Sequence, residues 1–276
     1  MKAIIQTITN QVQEVLQNSN KKGLLKHELT QILGLIDLTT LEGSDTNQSV
    51  KLMCQKAISY PSIEKSLPES AAVCVYPTMV TIAGKELQNH NIIIAAVAGA
   101  FPSSQSPLEI RLSEVQYAID MGATEIDMVI STGRFLEGDY AFITNEVSSI
   151  KKICGKHHLK VILETGVLKT TENIKLAAEL AIGAGADFIK TSTGKVPVNA
   201  TPEAMITMCR VIKDEYQNTG KRIGIKAAGG ISDSETALLY FYIVKEILGE
   251  SWLNKDLFRI GASRLADHLV KTILVL

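Results

Sequence analysis

Three lysines stand at or near the ends of short apolar runs: Lys160 in Leu159-Lys160-Val161-Ile162-Leu163, Lys190 in Phe188-Ile189-Lys190-Thr191-Ser192, and Lys226 in Gly224-Ile225-Lys226-Ala227-Ala228. Burying an ammonium is costly. A lysine in such a place either turns to water or is held inside with a lowered pKa, and only the second makes a nucleophile. At the ordinary pKa of ~10.4, about 0.04% of a lysine is free amine at pH 7. A drop of about three units frees roughly a quarter of it, and the ~4 kcal/mol this takes is within reach of burial plus a nearby like charge. If the runs around Lys190 and Lys226 are adjacent strands, Lys226 is the like charge that perturbs Lys190. The competing readings are a Lys190 that faces solvent and a Lys226 that pairs with a carboxylate on the rim.

Asp127 is the unexpected residue of Glu125-Ile126-Asp127-Met128-Val129-Ile130. A buried carboxylate needs a partner, and interior lysines at the same end of a barrel would supply one; otherwise it caps a nearby backbone group. Carboxylate and lysines together form the proton-relay set that conversion of a carbinolamine to an imine requires. Glu164, in Leu163-Glu164-Thr165-Gly166, is read as structural. Three small-residue turns follow apolar runs: Thr193-Gly194-Lys195, Ala228-Gly229-Gly230 and Gly261-Ala262-Ser263. Glycine lets backbone N–H groups approach a phosphate, and barrels bind one with the loops after their late strands, so the three turns together point to an anion site rather than to tight turns alone. No metal is expected, because His157 and His158 are adjacent and diverge on a helix, and no His-x-x-x-His spacing occurs. Cys74 has no histidine in view to activate it, so it is expected to fill the core or line a pocket.

Elements of known period must hold these residues. Ile4, Ile5, Ile8, Val12, Val15 and Leu16 recur at helical spacing, as do Leu25, Leu29, Ile32, Leu33 and Ile36, which predicts two N-terminal amphipathic helices covering one end of a larger body. From residue 71 a strand, turn and helix phrase repeats. Strands are expected over Ala71–Tyr76, Asn91–Ala98, Glu125–Ile130, Leu159–Glu164, Phe188–Thr191, Ile223–Ala227 and Phe258–Gly261, with Leu238–Val244 readable as helix or strand. The stretches Leu108–Met121, Tyr140–His157, Thr171–Gly183 and Thr201–Gln217 are long enough for parallel crossovers. With no linker or low-complexity segment, the chain reads as one α/β domain over residues 1–276, a (β/α)8 barrel with residues 1–35 as a helical extension. A Gly-x-Gly-x-x-Gly after an early strand is missing, which argues against a dinucleotide-binding sheet.

A formal charge of −1 and a pI near 6.5 leave no electrostatic footprint for nucleic acid or an anionic membrane. The longest apolar run, Ile92 to Phe101, is about half the ~20 residues a bilayer span needs, and the N-terminal residues lack a signal-peptide pattern. Four widely spaced cysteines without a Cys-x-x-Cys pair suit reduced thiols, so a cytoplasmic location is expected. The sequence does not give the oligomeric state; a homodimer is compatible with it.

The chain resembles the 2-deoxyribose-5-phosphate aldolase family of class I, Schiff-base aldolases with (β/α)8 barrels. The likeness runs from about Ile36 to Leu265. It rests on Asp37-Leu38-Thr39-Thr40-Leu41, Ala72-Val73-Cys74-Val75-Tyr76-Pro77, Glu125-Ile126-Asp127, the stretch Asp187 to Lys195, and Lys226-Ala227-Ala228-Gly229-Gly230. The resemblance implies that Lys190 forms an imine with acetaldehyde, that Asp127 and Lys226 tune it and relay protons, and that Cys74 lines the pocket. It also implies that Asp37, Thr39 and Lys195 hold the substrate, and Gly194, Gly229, Gly230, Gly261 and Ser263 the phosphate. Three departures bear on the phosphate: Ser232 where many members have arginine, Arg264 where a small hydroxyl residue is usual, and Ala227 for a common proline. Arg264 is therefore expected to supply the missing cation. The implied reaction is reversible cleavage of 2-deoxy-D-ribose 5-phosphate to acetaldehyde and D-glyceraldehyde 3-phosphate, without metal or organic cofactor. Two alternatives stand beside it, a class I aldolase for a different phosphorylated sugar and a non-catalytic sugar-phosphate-binding barrel.

Overall fold

Eight short parallel strands, each followed by at least one helix, close into a barrel in sequential order in the computed structural model, which describes residues 1–276. The strands are β1 (Ile36–Thr39), β2 (Ala72–Val75), β3 (Ile93–Val97), β4 (Glu125–Val129), β5 (His158–Ile162), β6 (Phe188–Lys190), β7 (Gly224–Ala228) and β8 (Phe258–Ala262). Capping fixes where the helices begin. Asp139, Thr170, Thr201 and Asp233 each accept a hydrogen bond from the backbone N–H three residues on, and Thr46 forms a reciprocal box with Ser49. Gly122 and Gly185 follow helix ends with φ of 109° and 104°, where a residue with a Cβ would be strained.

The sequence pattern misses one strand and leaves another segment undecided. β1 precedes residue 71, and Ile36, grouped above with a helical face, is its first residue. With four residues and a central aspartate, β1 has no apolar run to announce it. Leu238–Val244 is helical, inside the helix Ser234–Leu248. Its apolar residues run all round because one side faces the barrel while the N-terminal helices Lys2–Gln17 and Lys22–Leu33 pack against it from outside. Tyr242 donates to the buried Glu28 carboxylate of Lys22–Leu33 at 2.7 Å, fixing that packing. The helix Lys22–Leu33 also lies against Leu265–Val275, so both extra helices sit against the ring helices that follow β7 and β8.

Strand alternation divides the side chains into two sets. Ile126, Met128, Leu159, Val161, Ile189, Ile225, Phe258 and Ile260 join the apolar core between barrel and helices. The opposite set points inward and includes seven charged residues, Asp37, Glu125, Asp127, Lys160, Lys190, Lys226 and Arg259, all of them buried. Phe188 shares this interior, with Lys160 and Arg259 5.8 and 5.9 Å from its ring centre. Its ring fills the place a side chain at residue 224 would take, so Gly224 is required by close packing.

Candidate active site

Strand register brings the charged residues level. Lys190 of β6 sits opposite Lys226 of β7, and Asp127 of β4 opposite Lys160 of β5. Both Lys190 Nζ and Lys226 Nζ donate to Asp127 Oδ2 at 2.8 Å, while Lys160 Nζ donates to Oδ1 at 3.0 Å. Lys226 lies also 2.5 Å from Asp37 Oδ2. Arg259 donates to Asp37 Oδ1 at 2.7 Å and to Glu125 Oε1 at 3.0 Å, and Glu125 Oε2 accepts from Lys160.

These contacts make two equally buried lysines behave differently. Burial pushes the Lys226 ammonium toward neutrality, but Asp127 and Asp37 outweigh it and hold the group above the usual lysine range. Lys190 has only its share of one Asp127 oxygen. Burial, with repulsion from Lys226, outweighs that share and brings Lys190 below the ordinary lysine range. Burial would raise the Asp127 carboxyl, yet the three surrounding ammonium groups hold it well below the usual carboxylate range. Asp127 therefore stays ionised. Cys74 is raised by burial and stays a neutral thiol, packed with Leu41, Ala95 and Val97 in a small apolar cluster.

Above this interior opens a cleft of about 580 Å³ at the C-terminal ends of the strands. Lys190, 3% exposed, is the interior group that reaches its floor. The walls include Thr39, Gly194, Lys195, Gly229, Gly230, Gly261, Ser263 and Arg264, so every residue expected at the phosphate lines one cleft. Asp37, Cys74, Asp127 and Lys226 do not line it; they lie beneath. Gly194, Gly229 and Gly230 have φ of 80°, 87° and 80°, and a side chain at Gly229 would overlap Asn199. The β6 loop is pinned by Glu164, which accepts from Thr193 N at 3.2 Å and Thr193 Oγ1 at 2.5 Å, as its structural reading implies. Lys195 pairs with Glu42 at 2.9 Å across the mouth. Arg264, exposed, forms no ion pair or side-chain hydrogen bond. No cluster of His, Cys, Asp and Glu is placed to hold a metal ion.

Sequence reasoning missed Glu125 and Arg259 as interior partners, and placed Lys160 at a strand end when it is the middle residue of β5. The signal was present for Glu125, which alternation puts on the same face as Asp127. Arg259, a lone charge in Phe258-Arg259-Ile260, carries the same signature as the three lysines.

Comparison with known proteins agrees with this geometry. The family model described as DeoC/LacD family aldolase matches residues 31–241. The deoxyribose-phosphate aldolase of Homo sapiens is 44% identical over 256 residues, spanning 89% of this chain and 80% of the relative. That of Bos taurus is 43% identical over 249 residues, 86% and 78% of the two chains. Among solved structures, QR15, an aldolase, superposes with a TM-score of 0.73 at 30% identity, covering 89% of this chain and 98% of its own. With an eight-stranded barrel, a buried amine at the floor of its cleft and relatives at this level of identity, the chain belongs to the DeoC/LacD family of aldolases.

Proposed function

We infer that this chain is a deoxyribose-phosphate aldolase that cleaves 2-deoxy-D-ribose 5-phosphate reversibly to acetaldehyde and D-glyceraldehyde 3-phosphate through a Schiff base on Lys190. The observation that carries the reading is a lysine below its ordinary pKa range at the floor of a glycine-lined cleft, 2.8 Å from a carboxylate oxygen shared with a second lysine. The neutral Lys190 amine adds to C1 of the open-chain sugar, and the carbinolamine loses water to give the iminium. Loss of the C3 hydroxyl proton then breaks the C2–C3 bond, and its electron pair moves into the iminium as an enamine. Glyceraldehyde 3-phosphate leaves; protonation at C2 and hydrolysis release acetaldehyde and restore the amine. Asp127 Oδ2 accepts from both lysines, so it lies on a short path for protons between the reacting nitrogen and Lys226. Direct assay of both products from deoxyribose 5-phosphate tests the reading, and a turnover confined to another phosphorylated sugar would overturn it.

Phosphate recognition on this reading falls to Arg264. Lys195 is already engaged by Glu42, Lys190 is the nucleophile, and Ser232 offers no charge, which leaves Arg264 as the unpaired cation of the cleft. Arg264→Ala is expected to raise KM for deoxyribose 5-phosphate by about ten- to a hundredfold, the scale of a charge-assisted hydrogen bond. Cleavage of unphosphorylated 2-deoxyribose should be almost unchanged. Equal effects on both sugars would show that Arg264 does not read the phosphate.

The same reading makes the reaction a step of deoxyribonucleotide catabolism in the cytoplasm. The location is supported by four free, buried cysteines, as a reducing compartment favours.

A further inference from the structure

The ion pairs inside the barrel form a closed circuit. From Asp127 it runs to Lys160, from Lys160 to Glu125, from Glu125 to Arg259, from Arg259 to Asp37, from Asp37 to Lys226, and from Lys226 back to Asp127. The six groups alternate in sign and sum to zero. Lys190 is the seventh charged group of the interior and stands outside the circuit, attached to it at Asp127 Oδ2 alone. Each member of the ring is paired with two of opposite charge, and no carboxylate is left over for a fourth cation.

We propose that Lys160 is a positioning residue for the nucleophile: by occupying Asp127 Oδ1 and closing the circuit through Glu125, it leaves Lys190 the one interior cation without a carboxylate of its own. Lys160 is fully buried, does not line the cleft, and meets the proposed catalytic groups at Asp127 alone. Its effect on Lys190 passes through Asp127. The other titratable groups around Lys190 are Asp37 from β1, Cys74 from β2, Glu125 from β4, Glu164 from the end of β5, Lys226 from β7 and Arg259 from β8; β3 contributes none. Cys74 and Glu164 are both shifted by burial toward their neutral forms. The balance therefore lies within the ring.

A charge count makes the test specific. With Lys160 removed, three cations including Lys190 face three carboxylates, and Lys190 is retained as an ammonium. Lys160→Met should move the acid limb of kcat/KM, and of the rate at which cyanoborohydride traps acetaldehyde on Lys190, to higher pH by about one to two units. Removing a cation and a carboxylate together, in Lys160→Met with Glu125→Gln, restores the excess and should return the limb close to its original position. Glu125→Gln alone should move it lower. A role in folding only would lower stability in these variants without this alternation of sign. An unshifted limb in Lys160→Met overturns the proposal; if that variant does not fold, an unshifted limb in Glu125→Gln does so. The inference rests on Lys190 as the imine-forming residue, and the two fail differently. Absence of any adduct on Lys190 in the parent enzyme refutes that role, whereas an adduct whose pH dependence ignores Lys160 refutes only the coupling.

Discussion

Lys190→Met is expected to lower kcat/KM for deoxyribose 5-phosphate by on the order of 10⁵-fold or more without lowering the melting temperature. The loss follows from removing the only amine at the cleft floor, and borohydride reduction with acetaldehyde should add an ethyl group at Lys190 in the parent and nowhere in the variant. The retained stability is the less obvious half. A lysine whose folded-state pKa lies below its unfolded value binds fewer protons folded than unfolded in the interval between the two, so it opposes folding as pH falls through that interval. Methionine fills a similar volume and removes the unbalanced charge. An adduct at another lysine, or substantial turnover in the variant, would rule out Lys190 as the nucleophile. A clear drop in melting temperature would instead mean that its pairing with Asp127 supports the fold.

Asp127→Asn should have the opposite profile, damaging both fold and turnover. Asparagine keeps the shape but leaves Lys160 and Lys226 without the carboxylate between them, and breaking a fully buried ion pair costs about 3–5 kcal/mol. Turnover should fall by about 10²- to 10⁴-fold with the loss of a proton-accepting group. Trapping of acetaldehyde should survive, and at lower pH than in the parent, because the attraction that favours the Lys190 ammonium has gone. Lys226→Leu should shift trapping to higher pH, since it removes a repelling charge and frees Asp127 Oδ2 for Lys190. Denaturant titration and the pH dependence of trapping measure the two effects separately. Shifts of the same sign in both variants would contradict the electrostatic account of the site.

The proposed nucleophile and the groups the structure places beside it were legible in the sequence because each breaks an apolar run. Lys190, Asp127 and Lys226 are conspicuous among isoleucines and alanines, and the glycine turns mark the loops where backbone must come close to a ligand or carry positive φ. What stayed hidden was the closed pattern of charges. Its members come from β1, β4, β5, β7 and β8, and only barrel closure sets Arg259 against Asp37 and Glu125, 222 and 134 residues away in sequence. β1 was hidden for a local reason, since Ile36 continues the helical spacing of Leu29 and Leu33 and its strand ends three residues later. The helix through Leu238–Val244 was ambiguous because it is covered on both sides, which erases the polar face that would have revealed its period. Arg264 could be named from sequence, but not its freedom. That depends on Glu42 reaching Lys195 from a loop 153 residues away.

The depth of the charged circuit has a consequence for ionic strength. Mobile ions screen exposed charges over about 10 Å at 0.1 M salt but screen buried pairs much less. Lys160, Asp127, Asp37 and Arg259 are at most 0% exposed, whereas Arg264 stands at the surface. Added salt should therefore weaken capture of the phosphorylated sugar at the mouth while changing the acidity of Lys190 much less. On the proposed roles of Lys190 and Arg264, chemistry and recognition of charge differ in ionic access, so a saline medium would alter which sugar is favoured more than how it is cleaved.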